Sequence, residues 1–252
     1  MPEQALQSLP PWYTLTAAAG ICLSLAAWVF MIRRGVGGHR TDPRLPLIYG
    51  CALLGAIIGA KLSFLLAEAW NQPFSFEVLL SGKSITGALL LGYIAVEWAK
   101  RYLHYESTTG DLFAFAVPVG IGIGRIGCIL QGCCQGVVCQ TQHMWTISTT
   151  DAAGHITHRW PAAHLELAFQ CLFLLWMVPA TRLNWCRTNR FHVYLMAYGL
   201  FRFANEWMRD DARFLGPLSV YHLFAAAIFV LGLMRYISRA QRLNHTAPTL
   251  PA

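Results

Sequence analysis

PVGIGIGRIGCILQGCCQG, residues 118–136, matches the phosphate-loop pattern G-x-G-x-x-G at Gly122, Gly124 and Gly127. It also sets one arginine, Arg125, in an apolar run and closes on clustered cysteines. A dinucleotide fingerprint requires a strand before the glycines, a helix after them and an acidic residue about 20 positions on. The residues preceding this one, DLFAFAVPV, are instead the first half of an apolar run of membrane-spanning length, with no strand–helix–strand pattern around it. Gly120, Gly124 and Gly127 recur at helical spacing, and small residues on one helix face let a neighbouring helix approach closely. The glycines therefore read as packing positions, and Arg125 as the residue to explain.

The whole chain supports that frame. It has 252 residues, 56% of them hydrophobic and 12% charged, with a mean hydropathy of +0.44. Soluble domains carry about 25% charged residues, so this composition predicts a membrane protein. The formal net charge of +7 does not point to nucleic acid. Its basic residues are spread between apolar runs, whereas nucleic-acid binding requires a clustered basic face.

Seven apolar stretches run over 12–32, 45–67, 85–99, 111–130, 162–180, 191–207 and 217–237. About 20 helical residues cross a hydrocarbon core, so seven spans are expected, with 85–99 the shortest. Alternate connections hold Arg33, Arg34, Arg40 and Arg44; Lys100 and Arg101; Arg182, Arg187 and Arg190; and Arg235, Arg239 and Arg242. The opposite connections hold only Lys83, Arg159, Arg209 and Arg213. Basic residues favour the cytoplasmic side. The expected fold is thus an all-α membrane protein of seven transmembrane helices, with a periplasmic N-terminus and a cytoplasmic C-terminus. Residues 1–252 read as a single membrane domain, with 131–161 as a small periplasmic cap and 240–252 as a cytoplasmic tail.

A guanidinium deep in a bilayer costs about 2.5–3.5 kcal/mol on insertion scales. Its planar fork suits a phosphate. The segment YGLFRFANEWMR places Tyr198, Arg202, Glu206 and Arg209 on one stripe of the sixth helix, with Arg202 and Glu206 as an i,i+4 pair. RWPAAHLE adds Arg159, His164 and Glu166 on the same side. Ionisable groups thus converge on one end of the bundle, which predicts a polar cavity open to the outer leaflet.

GIGRIGCILQGCCQG resembles the signature segment of the prolipoprotein diacylglyceryl transferase family. GAIIGAKL (55–62), SITGALLLG (84–92), WPAAHLE (160–166), YGLFRFANEWMR (198–209) and the 218–223 entry to the last span follow in the family's order. The resemblance implies a bacterial inner-membrane enzyme of lipoprotein biosynthesis. Such an enzyme moves the diacylglyceryl group of phosphatidylglycerol, or a similar anionic phospholipid, onto the lipobox cysteine in the signal-peptide region of a prolipoprotein. It implies no metal or organic cofactor and no nucleic-acid partner. It assigns Arg125 to the lipid phosphate, Tyr198, Arg202 and Glu206 to the second wall of the same cavity, and Gly136 to the glycine that closes the signature. Arg125 and Arg202 together are expected to clamp the phosphate.

This chain departs from the family pattern where chemistry is expected. Thr86 stands where the family has a histidine, Cys128 and Cys133 stand for an asparagine and a glutamate, and Lys61 stands for an arginine. Thr86 is expected near the acceptor, and Cys128, Cys133 and Lys61 among the substrate-binding positions. Cys128, Cys133, Cys134 and Cys139 form a further candidate site, either a disulfide or free thiols. Their C-x4-C-C-x4-C spacing lacks the C-x2-C pairs of a zinc site, so no metal is expected. Two alternatives stand beside the family reaction. One is transfer to another acceptor, and the other is a thiol-redox or lipid-binding protein on the same scaffold.

Overall fold

The computed structural model describes residues 11–35, 42–69, 82, 84–150 and 155–245. The helices are α1 (Pro11–Arg33), α2 (Leu45–Phe64), α3 (Ile85–Tyr102), α4 (Gly110–Leu130), α5 (Ala162–Arg182), α6 (Arg190–Glu206) and α7 (Val220–His245). A π-helical turn, Leu65–Ala69, extends α2. The expected cap segment holds a small antiparallel sheet, β1 (Val138–Cys139), β2 (Ile147–Thr150) and β3 (Ile156–Arg159), in the order β1-β3-β2. A two-stranded ribbon, β4 (Arg213–Leu215) and β5 (Leu218–Ser219), leads into α7. The all-α expectation thus needs one correction: both irregular connections at this end pair their backbones as short strands. This satisfies amide groups that no helix covers. The tail from 246 onward and Lys83 lie outside the described residues.

Five helices among the described residues are long and apolar enough to cross a membrane: α1, α2 with its π turn, α4, α5 and α7. This is a multi-pass membrane protein. The sequence reading expects α3 and α6 to cross as well, but they lie below that threshold for a visible reason. α3 is 18 residues long and carries Glu97, Lys100 and Arg101. α6 is 17 residues long and carries Arg190, Arg202 and Glu206. The charges of α6 are inward ones: Arg190, Arg202 and Glu206 are all buried.

The helices pack mainly as α2 on α3, α6 on α7, and α4 between α1 and α5, with α3 meeting α7 and α4 meeting α6. Residues that face lipid in a spanning helix stay apolar and exposed, such as Leu54, Ile57 and Ile58 of α2 and Leu172 and Leu175 of α5. The buried core is aromatic. Trp28, Tyr49 and Phe113 join α1, α2 and α4, while Phe191, Tyr194 and Tyr198 stack along α6. At the Tyr102 end of the bundle, Asp111 at the start of α4 accepts from the Arg190 guanidinium at 2.8 Å and from the Thr188 amide at 3.0 Å. Both partners of this pair are buried, so it ties α4 to α6.

The α2–α3 seam is built on small residues. A Cβ at Gly59 would lie 2.2 Å from the Gly87 carbonyl, and one at Gly87 2.3 Å from the Gly59 carbonyl. Both obstacles are backbone, which cannot swing aside. Gly59→Ala is expected to destabilise the bundle by about 1–3 kcal/mol through forced overpacking. Thermal unfolding in detergent measures this, with Gly50→Ala, which meets nothing within 4 Å, as control.

Candidate active site

The site is assembled where α4 ends and α5 and α7 begin. Arg125 lies one turn before the end of α4, 8% exposed. Its Nη2 is 2.6 Å from Oε2 of Glu166 in the first turns of α5. Glu166, 0% exposed, also accepts a hydrogen bond from the Tyr198 hydroxyl of α6 at 2.7 Å. Three helices thus meet in one arginine–carboxylate–phenol chain. Pro161 directly precedes α5 as its N-cap residue. Glu166 lies on the turn that faces α4.

A second ion pair follows on α6. Arg202 Nη1 is 2.7 Å from Glu206 Oε2 across one helical turn. Glu206 also accepts from the Ser219 hydroxyl at 2.7 Å, and Ser219 meets His222 Nδ1 at 3.0 Å. Arg209, just past the helix, holds Asp211 at 2.9 Å. Burial alone would raise the Asp211 carboxyl, but Arg209 and Arg202 beside it hold it below its ordinary value. Every arginine of the group therefore already faces a carboxylate. On the far side the Tyr221 hydroxyl of α7 donates to Glu68 in the π turn after α2.

Not every donor is spent. Arg125 Nε, Gln170 Nε2, Asn205 Nδ2 and His222 Nε2 are buried without a hydrogen-bond partner among the described residues. An unpaired buried donor costs about 1–3 kcal/mol. Several at one end of a bundle mark a place where acceptor oxygens are expected to arrive.

The cysteines of the signature segment divide. Cys128, Cys133 and Cys134 bring their sulfurs within 4.8 Å of one another, while Cys139 enters β1 and points its thiol at the Val137 carbonyl, 3.9 Å away. All eight cysteines are free thiols. Arg125 Nη1 donates toward Cys128 Sγ at 3.7 Å. The Cys134 thiol, outside the helix, is pushed below its ordinary pKa by hydrogen bonds from Cys128 and Cys133 and by the charges of Arg125 and Arg209. The neighbouring Cys133 is pushed up, because it serves as donor to the other two.

The remaining sequence candidates lie around this centre in different ways. Gly136 is a close-approach position: a Cβ there would lie 2.3 Å from the Met208 carbonyl and 2.7 Å from the Trp160 side chain. Its amide bonds the Trp160 carbonyl, and the next amide bonds Met208, so it seats the cap on the end of α6. Lys61 donates to the Gly82 carbonyl at 3.0 Å. Thr86 is buried at the start of α3, and its hydroxyl meets Ser84 at 2.8 Å. Among the described residues it shows no bond to the arginine group, so the structure does not join it to Arg125. Glu166 is the member that sequence reasoning placed on the correct side but left out of the site. Its WPAAHLE context was the available signal, and its partner is in another helix.

Between α1, α2, α3 and α4 runs an apolar cavity of about 250 Å³. It starts at Ile85, passes Leu53, Ala56 and Leu89, and ends at Lys100, His192 and Arg239.

Comparison with known proteins identifies the family. The profile of the prolipoprotein diacylglyceryl transferase family matches residues 7–238. Similar proteins include the phosphatidylglycerol–prolipoprotein diacylglyceryl transferases of Geobacter sulfurreducens, 29% identical over 92% of this chain and 91% of that one, and of Bordetella avium, 26% identical over 92% and 90%. The enzyme of the same name from Methylibium petroleiphilum is 29% identical over 83% of this chain and 82% of its own. With its signature arginine bound into a three-helix polar chain inside a multi-pass bundle, this protein belongs to the prolipoprotein diacylglyceryl transferase family and is an enzyme of the transferase type.

Proposed function

We propose that this chain moves the diacylglyceryl group of phosphatidylglycerol onto the lipobox cysteine of a prolipoprotein in a bacterial inner membrane. The carrying observation is the buried Arg125–Glu166–Tyr198 chain beside the Arg202–Glu206 pair, with unspent donors around it. The cysteine sulfur attacks a glycerol carbon, a C–S thioether bond forms, and the C–O bond to phosphate breaks. The electron pair leaves on the phosphate oxygen of glycerol phosphate, and the thiol proton balances that charge, ending on the released phosphate or in water. Charge develops on the departing phosphate, so fixed donors aimed at it lower the barrier. Arg125 and Arg202 supply those donors, while Glu166, Tyr198 and Glu206 hold the two guanidinium groups in place. Cys128, Cys133, Gly136 and Lys61 border the headgroup, and Thr86 lies toward the acceptor. The apolar cavity takes part of an acyl chain. The chain reads as one domain of seven spans with its N-terminus outside, so the site opens to the outer leaflet.

Incubating the purified protein with phosphatidylglycerol labelled in its acyl chains and a lipobox peptide tests this. Label is expected in the peptide, with equimolar glycerol phosphate. Glycerol phosphate without labelled peptide would favour another acceptor, and the absence of both products would remove the transferase reading for these substrates.

A further inference from the structure

The three converging thiols have a property that the transfer reaction does not use. We propose that Cys128, Cys133 and Cys134 form a three-thiolate site for a thiophilic d10 cation of the zinc class. Adjacent side chains on an extended backbone point to opposite faces, so a Cys-Cys pair normally divides its sulfurs. Here it does not. Cys134 sits in the left-handed region at φ 60, after Gly132 at φ 66. Non-glycine residues enter that region only when the surroundings hold them there. The result is that both sulfurs turn toward Cys128 on the last turn of α4, and all three lie within 4.8 Å of one another. Around one ion with metal–sulfur bonds of about 2.3 Å, three sulfurs lie about 3.8–4.0 Å apart. A contraction of at most about 1 Å closes the site.

The surroundings fit such an ion. A cation at three thiolates leaves net negative charge, and Arg125 and Arg209 supply two positive charges beside it: Arg125 Nη1 reaches Cys128 Sγ at 3.7 Å, and Arg209 Nη1 reaches the Cys134 carbonyl at 3.5 Å. Soft thiolate ligands select zinc-class and copper(I) ions over magnesium or calcium. Among the described residues no fourth histidine, cysteine or carboxylate completes the group, so one coordination position stays open to a small ligand. The linear spacing, without C-x2-C pairs, hides the site. A helix turn and the left-handed kink bring the sulfurs together instead.

Two of these thiols also border the proposed headgroup position, so the test reads metal binding alone and not transfer activity. The full-length protein is purified in detergent under reducing conditions, stripped, and titrated with Zn²⁺ and with Cd²⁺. About one equivalent is expected to remain after dialysis, with an ultraviolet thiolate-to-cadmium charge-transfer band. Cys139→Ser is expected to leave both unchanged. Cys134→Ala, which removes one of the three ligands, is expected to weaken binding by more than the roughly tenfold lost with an outer-shell partner, and the triple variant C128S/C133S/C134S to abolish it. Size-exclusion profiles show which variants remain folded, and the Cys134→Ala result stands if the triple variant does not. Failure of the reduced protein to retain metal, or equal retention by Cys134→Ala, would overturn the site. So would a disulfide within the trio in the native protein by non-reducing mass spectrometry.

Discussion

Arg125→Ala is expected to abolish diacylglyceryl transfer while the protein still reaches the membrane. Among the described residues the guanidinium is the one cation that touches Glu166 on α5 and a signature thiol on α4 at once. Loss of a single fixed donor at developing charge lowers turnover about 10²–10³-fold in acyl-transfer sites, and here a full positive charge goes with it. Arg125→Lys separates charge from shape. Lysine restores the charge but lacks the planar fork, so it is expected to recover membrane accumulation more fully than turnover. Labelled-lipid transfer and membrane-fraction immunoblots read the two effects separately. Full activity in Arg125→Ala would remove the phosphate assignment.

Glu166 gives the second large effect, in the opposite balance of stability and chemistry. Its carboxylate is fully buried and faces Arg125 and Tyr198 together. Glu166→Ala leaves a buried guanidinium without its partner, a change that costs about 3–5 kcal/mol in comparable buried pairs. A large fall in thermal stability in detergent is expected, with activity lost alongside. Glu166→Gln keeps an acceptor for the Tyr198 hydroxyl and the same volume but drops the charge. It is expected to recover part of the stability and little of the transfer. If Glu166→Ala unfolded at the same temperature as the parent protein, the pair would not be a structural anchor.

The helices were largely legible in the sequence, because the bilayer demands continuous apolar runs and says where they end. The stretch read as 111–130 is α4 from Gly110 to Leu130, and 162–180 is α5 from Ala162 to Arg182. Where reading and structure part, charge is the reason: α6 is short and carries buried ions that lower its hydropathy without exposing them. The Arg202–Glu206 pair was readable because both members share one helix face. The Arg125–Glu166 pair was not, since its members belong to different helices and no periodicity links them. Ser219 and His222 completing the surroundings of Glu206, and Asp111 meeting Arg190 at the opposite end, were hidden for the same reason. The strands of the cap escaped because they are two to four residues long, too short for alternation to register.

The partnership between Arg125 and Glu166 also bears on how the chain is made. Translation delivers α4 before α5, so Arg125 is made before its countercharge. Only when the next hairpin enters does a countercharge arrive. An ion pair between these consecutive helices would favour their settling side by side before α6 and α7 join them.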